Sequence, residues 1–575
     1  MINGHNPKHW KLPDPVPEAA IAALGEHGIH PLLAQILYRR GYTSPDSAME
    51  FLAIYAHDDN PFLLHGMTEA VYRLRMAIRN QEPIAVYGDF DCDGVCSTVL
   101  LTQALEKLGA NVRPYIPDRV DEGYGLNSPA LQKLAEQGIR VVVTVDCGIR
   151  SALEVEDANG YGLDMIITDH HSVGAVVPPA LAVINPKQAG CDYPEKMLAG
   201  VGLAYKLAQG LYMEAQRRGI KKAEGWRPDD WLDLVAIGTV ADIAPLVGEN
   251  RMLVTEGLKR LNATDRPGLK ALYGVAGARM GKINATTIGF FLGPRINAAG
   301  RLRSALISYN LLAADDIVKA SEIARELNDI NQERQFKTDQ MQRWAEESMP
   351  EDPSGLPFLF AADSRFEQGV VGLVASRLTE THYRPSAVVQ MGEEESHGSC
   401  RSIPEFHVTH ALDECSDLLE RYGGHAAAAG FTVLNRNIHA LKERLTEVAA
   451  EKLAGLTLSP SLEIDAELPF DQITLEAAEA LGALEPTGEA NRPPLFASRG
   501  AIVKSKSTVG ADGKHLKLLL TDGAVTAEAI AFRLGPLIGE LPERIDVAYH
   551  LEVNEWNSQR RLQLMVRDLQ SAGEG

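Results

Sequence analysis

The sequence has few features that would mark a secreted, membrane-spanning or disulfide-stabilised protein. Its 575 residues include only six cysteines, and none of them forms a CxxC pair, so neither a disulfide framework nor a structural zinc site is indicated. No apolar run approaches the roughly 18–20 residues of a membrane span, and the first residues show no basic-then-apolar signal pattern. We therefore expect a cytoplasmic protein with no membrane segment.

Positive charge is also scarce. The formal net charge of −21 argues against a protein that coats nucleic acid by bulk attraction, because such binding depends on Lys and Arg. A polyanionic ligand would therefore need a locally basic groove, or metal ions held among acidic residues. The hydrophobic content of 45% is typical of a soluble globular protein. A single core stops growing at about 250–300 residues, so this chain must form several domains.

The alternation of short apolar runs and longer amphipathic segments predicts the first large domain. Residues 1–65 look helical, with a helix start at Ser44-Pro45. From residue 84 onward, "IAVYG", "VVVTVD", "MIITD" and "LAVIN" have the composition of buried strands, and helical segments separate them. We expect an α/β domain over residues 66–314, with a parallel sheet and helices on both of its faces.

The remainder of the chain predicts a connector and two further domains. Residues 315–349 contain no proline or glycine and predict one long connecting helix. A second α/β domain should follow over residues 350–455, with "PFLFAAD" and "PSAVVQMG" as strands. Several short alternating segments over residues 456–575 suggest a small β-barrel of the oligonucleotide-binding (OB) type.

Acidic residues and histidines stand where the predicted strands end. An evenly spaced acidic triplet follows "IAVYG", one aspartate closes "VVVTVD", and the run "DHH" follows "MIIT"; these residues are Asp89, Asp91, Asp93, Asp146, Asp169, His170 and His171. Asp242 lies beyond a mostly apolar helical run. Ligands of parallel α/β sheets gather at the carboxyl ends of the strands, so we expect these side chains to share one crevice.

Such a cluster has the chemistry of a two-metal hydrolytic centre. Two divalent cations about 3.5–4 Å apart can share a bridging carboxylate, activate a water and stabilise an in-line phosphoryl displacement. Carboxylate oxygens with an imidazole suit Mn²⁺ or Mg²⁺ better than thiolate-preferring metals. The candidate ligands are Asp91, Asp93, Asp146, His170 and Asp242.

Seven ordered motifs are recognisable. "DFDCDG", "VDCGI", "TDHH" and "GTVAD" resemble the four motifs of the DHH phosphoesterase superfamily. "GPRINAAGRL", "GSCRS" and "YGGHAAAAG" look like the RecJ family of bacterial single-strand-specific exonucleases within that superfamily. The resemblance covers nearly the whole chain, including a C-terminal region similar to the family's OB fold.

The resemblance implies roles for the metal-binding residues. Asp91 and Asp93 would bind one metal each, Asp146 would bridge both, and His170 with Asp242 would complete the second site. Asp146 and the three residues of the DHH motif would form the catalytic set, which is Asp146, Asp169, His170 and His171. His171 would face the scissile phosphate.

One position departs from the pattern of the superfamily. Many small-molecule members have a histidine four residues before the first metal-binding aspartate, and Tyr87 stands there in this chain. The first metal would then draw on Asp89 or on water.

Phosphate contacts are implied for a second group of residues. The matching positions in the RecJ family hold nucleotide phosphates, including a terminal 5′ phosphate; they correspond here to Arg119, Arg295, Arg301, Ser399 and Arg401. Asn297, Gly424 and His425 are further candidate substrate-binding residues. Guanidinium groups match phosphate oxygens bidentately, which a lysine cannot do. The alanine-rich segment after His425 is expected to be a helix whose N-terminal amides could cradle a phosphate.

The resemblance implies a metal-dependent exonuclease that degrades single-stranded DNA from its 5′ end to 5′-mononucleotides, in recombination and repair. The enzyme would act as a monomer and contact single-strand-binding protein. One alternative is a DHH phosphodiesterase of short oligonucleotides or small nucleotides, and another is a non-catalytic nucleic-acid-binding scaffold. A dinucleotide-binding oxidoreductase is excluded, because no GxGxxG motif follows the first strand of the sheet. The three aspartates that follow this strand instead would repel a pyrophosphate group.

Overall fold

A computed structural model describes residues 8–53, 59–119, 122–123, 125–556 and 559–573. The chain divides into two compact units. One unit contains the N-terminal elements, Leu246–Gly248 and the chain from Ser459 onward, and the other contains the remainder. Within the described residues, every helix is too short or too polar to traverse a lipid bilayer.

The N-terminal region is mainly helical, as predicted. Its elements are β1 (His9–Lys11), α1 (Glu18–Gly25), α2 (Pro31–Arg39) and α3 (Pro45–Ala53). The backbone N–H of Ser47 donates to Ser44 Oγ at 3.2 Å, which confirms the predicted helix start. The strand β1 was not expected from the sequence, and residues 54–58 of the predicted helical region lie outside the described residues.

The second unit begins with the predicted parallel sheet. Its elements are α4 (Met67–Asn80), β2 (Pro83–Gly88), α5 (Cys92–Lys107), β3 (Asn111–Tyr115), α6 (Ser128–Glu136), β4 (Val141–Val145), α7 (Ala152–Gly160), β5 (Asp164–Thr168) and β6 (Ala182–Ile184). The strand order is β3-β2-β4-β5-β6, and all four pairings are parallel. Helices α6 and α7 pack on the face that carries Ala85 and Tyr87, while α5 also packs on the sheet.

A helical segment follows the sheet. Its elements are α8 (Gly200–Arg217), α9 (Leu232–Ala241), α10 (Gly248–Leu261), α11 (Pro267–Ala276), α12 (Ala285–Thr287), α13 (Gly293–Leu302), α14 (Leu306–Ala313) and α15 (Ile317–Glu347). The 31 residues of α15 confirm the predicted long helix, which spans about 47 Å at 1.5 Å per residue. It packs against α11, α13 and α14 on one side of the connection and against α16, described below, on the other.

The second α/β domain is built on a mixed sheet. Its elements are β7 (Leu359–Asp363), α16 (Val371–His382), β8 (Ser386–Met391), β9 (Glu395–Arg401), α17 (Val408–Asp413), β10 (Leu419–Gly424), β11 (Ala428–Leu434) and α18 (Ile438–Lys452). The strand order is β10-β11-β9-β8-β7, in which only β7 and β8 are parallel.

The helix expected after Gly424 and His425 is wrong. The alanine-rich segment turns between β10 and β11, and β11 then pairs with both β9 and β10. A Cβ at Gly424 would lie 2.3 Å from the carbonyl oxygen of Ala428, so the tight hairpin requires glycine there. Strand pairing on both sides of β11 therefore overrides the helix propensity of alanine.

The C-terminal region is the predicted small barrel. Its elements are β12 (Ser461–Glu463), β13 (Ala466–Glu467), α19 (Leu475–Leu481), β14 (Phe496–Val509), β15 (His515–Thr521), β16 (Thr526–Ala531), β17 (Arg544–Trp556) and β18 (Gln559–Ser571). The strand order β14-β15-β16-β18-β17 closes because β17 also pairs with β14. The barrel shares one apolar core with α1–α3, and β12 pairs with β1.

A buried ion pair links α8 to α10. Lys206 Nζ lies 2.5 Å from Glu249 Oε1, with side-chain exposures of 0% and 5%, and Tyr193 donates to Glu249 Oε2 at 2.6 Å. Removing one partner of such a pair leaves a buried charge uncompensated, which is strongly unfavourable.

We expect Lys206→Met to lower the free energy of unfolding by about 3–5 kcal/mol, because it leaves the buried Glu249 carboxylate without its cationic partner. Lys259→Met is the matched control, since Lys259 forms a solvent-exposed pair with Glu256 and should cost about 0–1 kcal/mol. The measurement is the denaturation midpoint in guanidinium chloride. Equal shifts in the two variants would contradict the expectation.

Candidate metal centre and phosphate-binding site

The acidic triplet occupies the turn from β2 into α5. Asp91 caps the helix, because its Oδ1 accepts from the backbone N–H groups of Asp93 at 2.9 Å and Gly94 at 3.0 Å. Asp93 lies in the first turn of α5, and its carboxylate accepts from the backbone N–H groups of Gly200 at 2.7 Å and Val201 at 2.9 Å. The N-terminus of α8 therefore fixes the Asp93 carboxylate.

Three more of the predicted side chains converge on this turn. Asp146 directly follows β4 in a left-handed backbone conformation with φ of 64°. His170 follows β5, and its Nε2 lies 3.1 Å from Asp146 Oδ1 and 3.7 Å from Asp242 Oδ2. Asp242 is the C-cap residue directly after α9.

Three overlapping groups in this cluster could each hold a metal ion. In each group the ligand atoms lie within 4.8 Å of one another. The first group is Asp89, Asp91 and Asp146, the second is Asp93, His170 and Asp242, and the third is Asp146, His170 and His171. Asp146 and His170 each belong to two of these groups. Two metal ions joined by a bridging residue would need ligands that are shared in this way. All six predicted metal ligands are thus brought together.

The buried, mutually repelling carboxylates of this cluster favour the binding of a cation. Burial, followed by repulsion from neighbouring carboxylates, raises the pKa values of Asp89, Asp93 and Asp146 well above their usual range. The same causes raise the pKa of Asp242 to about 7. Asp89 Oδ1 is buried without a hydrogen-bond partner among the described residues, and Asp146 Oδ1 and His170 Nε2, which are 3.1 Å apart, form no well-directed hydrogen bond with each other or with any other described residue. A divalent ion fits this donor set, because it would offset the repulsion and satisfy these atoms.

The two histidines have different protonation chemistry. Burial lowers the pKa of His170 to about 3, so its imidazole is neutral and can ligate a metal. Burial lowers the pKa of His171, but the hydrogen bond and charge of Asp169, 2.7 Å from His171 Nδ1, together with the charges of Asp242 and Asp89, raise it above its ordinary value. Asp169 also accepts from the backbone N–H of Ile149 at 2.9 Å, so it orients His171 from a fixed position.

An arginine cluster provides the opposite charge. Burial and the neighbouring charges of Arg119, Arg334 and Arg401 lower the pKa of Arg301 to about 10. Arg401 Nη1 donates to Ser399 Oγ at 2.9 Å. A Cβ at Gly372, in the first turn of α16, would lie 3.0 Å from Arg401 Nη2 and 3.2 Å from Ser399 Oγ. Several arginine charges that lower the pKa of Arg301, together with a helix N-terminus, are suited to hold an anion.

Arg334 is a member of this cluster that the sequence did not reveal. Its Nε is buried without a hydrogen-bond partner among the described residues, and burial with the charge of Arg377 lowers its pKa. It lies inside the charged sequence "NQERQFKTDQ" of α15, which looks like an ordinary solvated helix face. No motif or spacing marks it, so only the packing of α15 could identify it.

Other predicted phosphate ligands have partners within the protein. Arg295 donates to the carbonyl oxygens of Phe291 at 2.8 Å and Val275 at 3.4 Å. Asn297 Oδ1 accepts from the backbone N–H of Cys92 at 2.7 Å, so it supports the first turn of α5. Gly424 lies on β10, two strands from Arg401, with His425 just beyond its end.

Family models match three segments of the chain. Residues 83–239 match the DHH family N-terminal domain, residues 355–451 match the DHHA1 domain, and residues 464–568 match the RecJ OB domain. The first match contains the acidic triplet, Asp146 and the "DHH" residues, and the second contains Ser399 and Arg401.

Curated proteins and solved structures agree with these matches. The chain is 38% identical to the single-stranded-DNA-specific exonuclease RecJ of Bacillus subtilis, covering 97% of this chain and 70% of that protein. It is 37% identical to RecJ of Dickeya dadantii, covering 88% and 91%. The crystal structure of Thermus thermophilus RecJ in complex with Mn²⁺ superposes with a TM-score of 0.83 at 32% identity, covering 98% of this chain and 79% of that one. The chain therefore belongs to the RecJ family of single-stranded-DNA-specific exonucleases.

Proposed function

We propose that this protein is a metal-dependent 5′-to-3′ exonuclease that hydrolyses single-stranded DNA to 5′-mononucleotides. The observation that carries the proposal is the buried carboxylate–histidine cluster in the same unit as an arginine cluster, in a chain of the RecJ family. The first cluster suits divalent cations and the second suits phosphate. Together they match the needs of phosphodiester hydrolysis.

Each residue of the metal centre would either bind an ion or orient a group that faces the substrate. Asp89, Asp91 and Asp146 would hold one ion, and Asp93, His170 and Asp242 would hold a second, with Asp146 shared between them. Two Mn²⁺ or Mg²⁺ ions, when bound, supply a nucleophilic water and neutralise the developing charge on phosphate. Asp169 holds the His171 imidazole in one orientation, from which its other ring nitrogen can donate to a phosphate oxygen or to the leaving group.

The arginine cluster would bind the 5′ end of the strand. Arg119 lies with its guanidinium carbon 4.6 Å from the centre of the Phe90 ring, next to the acidic turn. Arg301, Arg334 and Arg401 with Ser399 would hold phosphate oxygens. A terminal phosphate bound at a fixed distance from the metal ligands would set the position of the scissile bond, so that each cleavage removes one nucleotide.

Partners and domain limits follow as further parts of the proposal. The OB-type barrel would bind the strand, with Phe532, which is exposed and packs edge-on against His515, as a stacking residue. The enzyme would act as a cytoplasmic monomer in DNA recombination and repair, alongside single-strand-binding protein. We retain domain limits of 1–65, 66–314, 315–349, 350–455 and 456–575.

Product analysis tests the activity. A long single strand labelled at either end, incubated with Mn²⁺ or Mg²⁺, should release mononucleotides from its 5′ end, and Asp146→Ala should abolish this release because Asp146 belongs to two of the three candidate ligand groups. Cleavage confined to dinucleotides would instead favour the alternative, a phosphodiesterase of short oligonucleotides. Full activity in the variant would refute the two-ion assignment.

Close packing at Gly200 predicts a second effect on the metal centre. A Cβ there would lie 2.7 Å from both Cβ and Oδ1 of Asp146. We expect Gly200→Ala to displace that carboxylate and weaken Mn²⁺ binding about 10–100-fold, as measured by calorimetric titration. Gly274→Ala in α11 is the control, because a Cβ at Gly274 has no neighbour within 4 Å. Equal affinities in the two variants would count against the assignment.

The anion site predicts a preference for a 5′ phosphate. Arg301→Gln should lower kcat/KM on a 5′-phosphorylated strand by about 10–100-fold, because a charge-assisted contact is lost, and should change little on a 5′-hydroxyl strand. Arg303→Gln is the control, since Arg303 forms a half-exposed pair with Glu333 at 2.9 Å. A loss of equal size on both strands would show that Arg301 does not contact the terminal phosphate.

A further inference from the structure

An exposed aromatic pair lies on an unusual turn of the first α/β domain. Residues Ile288–Leu292 form one π-helical turn between α12 and α13. Ile288 and Leu292 are buried, whereas Phe290 is 76% exposed and Phe291 is 48% exposed. Single π-helical turns are costly and occur often at functional sites. The two buried residues anchor the turn, so the rings of the two phenylalanines are left facing solvent.

This turn lies against the end of α9, which leads into the metal centre. A Cβ at Gly293, just after the turn, would lie 3.4 Å from the Cβ of Ala241, the last residue of α9. The next residue is Asp242, whose carboxylate lies 3.7 Å from His170 Nε2. Arg295 donates to the carbonyl oxygen of Phe291 at 2.8 Å and thereby fixes the turn.

Ile243 adds a third exposed apolar side chain next to the centre. It is 69% exposed and has a φ of 60°, a left-handed conformation that a β-branched residue rarely adopts. Such strain persists only where the surrounding structure imposes it, and it concentrates at functional sites. The side chain of Ile243 is not part of the core, so core packing does not explain its left-handed conformation.

We propose that Phe290, Phe291 and Ile243 form a platform on which nucleobases of the single-stranded substrate stack beside the metal centre. This inference rests on the proposed function. Every base has a π-face, so stacking on aromatic rings binds a strand regardless of its sequence. The arginine cluster is suited to phosphate oxygens, whereas the exposed phenylalanine rings offer apolar faces to the bases. The platform would hold the bases while the backbone lies over the carboxylates, and a paired base in a duplex would not be free to stack.

The test compares a platform variant with a matched surface variant. Phe290→Ala/Phe291→Ala should raise KM at least about tenfold on a 5′-phosphorylated oligothymidylate. Tyr72→Ala should leave KM unchanged, because Tyr72 is an aromatic residue of similar exposure, 58%, on α4. Thermal midpoint and Mn²⁺ affinity should be the same in both variants and the wild type.

A strand with abasic sites distinguishes stacking from structural damage. On an oligonucleotide of the same length whose internal residues lack bases, the wild type and the double variant should have equal KM values. An equal loss on both strands would overturn the inference, as would an unchanged KM on oligothymidylate. If the wild type hydrolyses neither strand, the proposed function fails and the platform fails with it, whereas an active wild type with an unaffected variant refutes the platform alone.

Ile243→Gly provides an independent readout. Glycine adopts a positive φ freely, so the variant should keep or raise the thermal midpoint while KM on oligothymidylate rises severalfold. A rise in thermal midpoint with no change in KM would show that Ile243 does not contact the bases.

Discussion

Mutual repulsion among buried carboxylates is the constraint on which the rest of the structure depends. Asp89, Asp93 and Asp146 are almost completely removed from water, and burial, followed by repulsion from neighbouring carboxylates, raises their pKa values. A fold could avoid this cost by moving the residues apart. Here the backbone amides at the start of α8 hold Asp93 in place, and a left-handed residue positions Asp146. The fold therefore keeps a charge distribution that bound divalent cations would make favourable.

The complementary charges come from distant parts of the chain. The carboxylates follow strands of the first sheet, whereas Arg401 and Ser399 lie on β9 of the second sheet and Arg334 lies on α15. The long helix is therefore more than a connector, because it contributes a cation as well as the contacts of α13 and α16 with its two ends. The candidate metal ligands and the candidate phosphate ligands thus come from different elements, and α13 packs against both α5 and α15.

Much of the site could be predicted from sequence because its residues follow strands. Parallel strands end at one edge of a sheet, so Asp146 and His170 were expected to meet, and their 3.1 Å separation agrees with this. Arg334 could not be predicted, because its environment depends on how a charged helix packs. The hairpin at Gly424 was also missed, since alanine propensity is local information and strand pairing is not. Likewise, spacing along the sequence cannot reveal that Asn297 supports the first turn of α5.

The core shared by the N-terminal helices and the C-terminal barrel has a consequence for synthesis. Side chains such as Leu33 and Phe51 pack with residues such as Phe496 and Leu564, which emerge from the ribosome more than four hundred residues later. The apolar faces of α1–α3 must therefore stay uncovered until the strands of the barrel are translated. The intervening α/β unit contains its own cores and can fold during that interval. Binding of nascent-chain chaperones should consequently be concentrated on the first fifty or so residues.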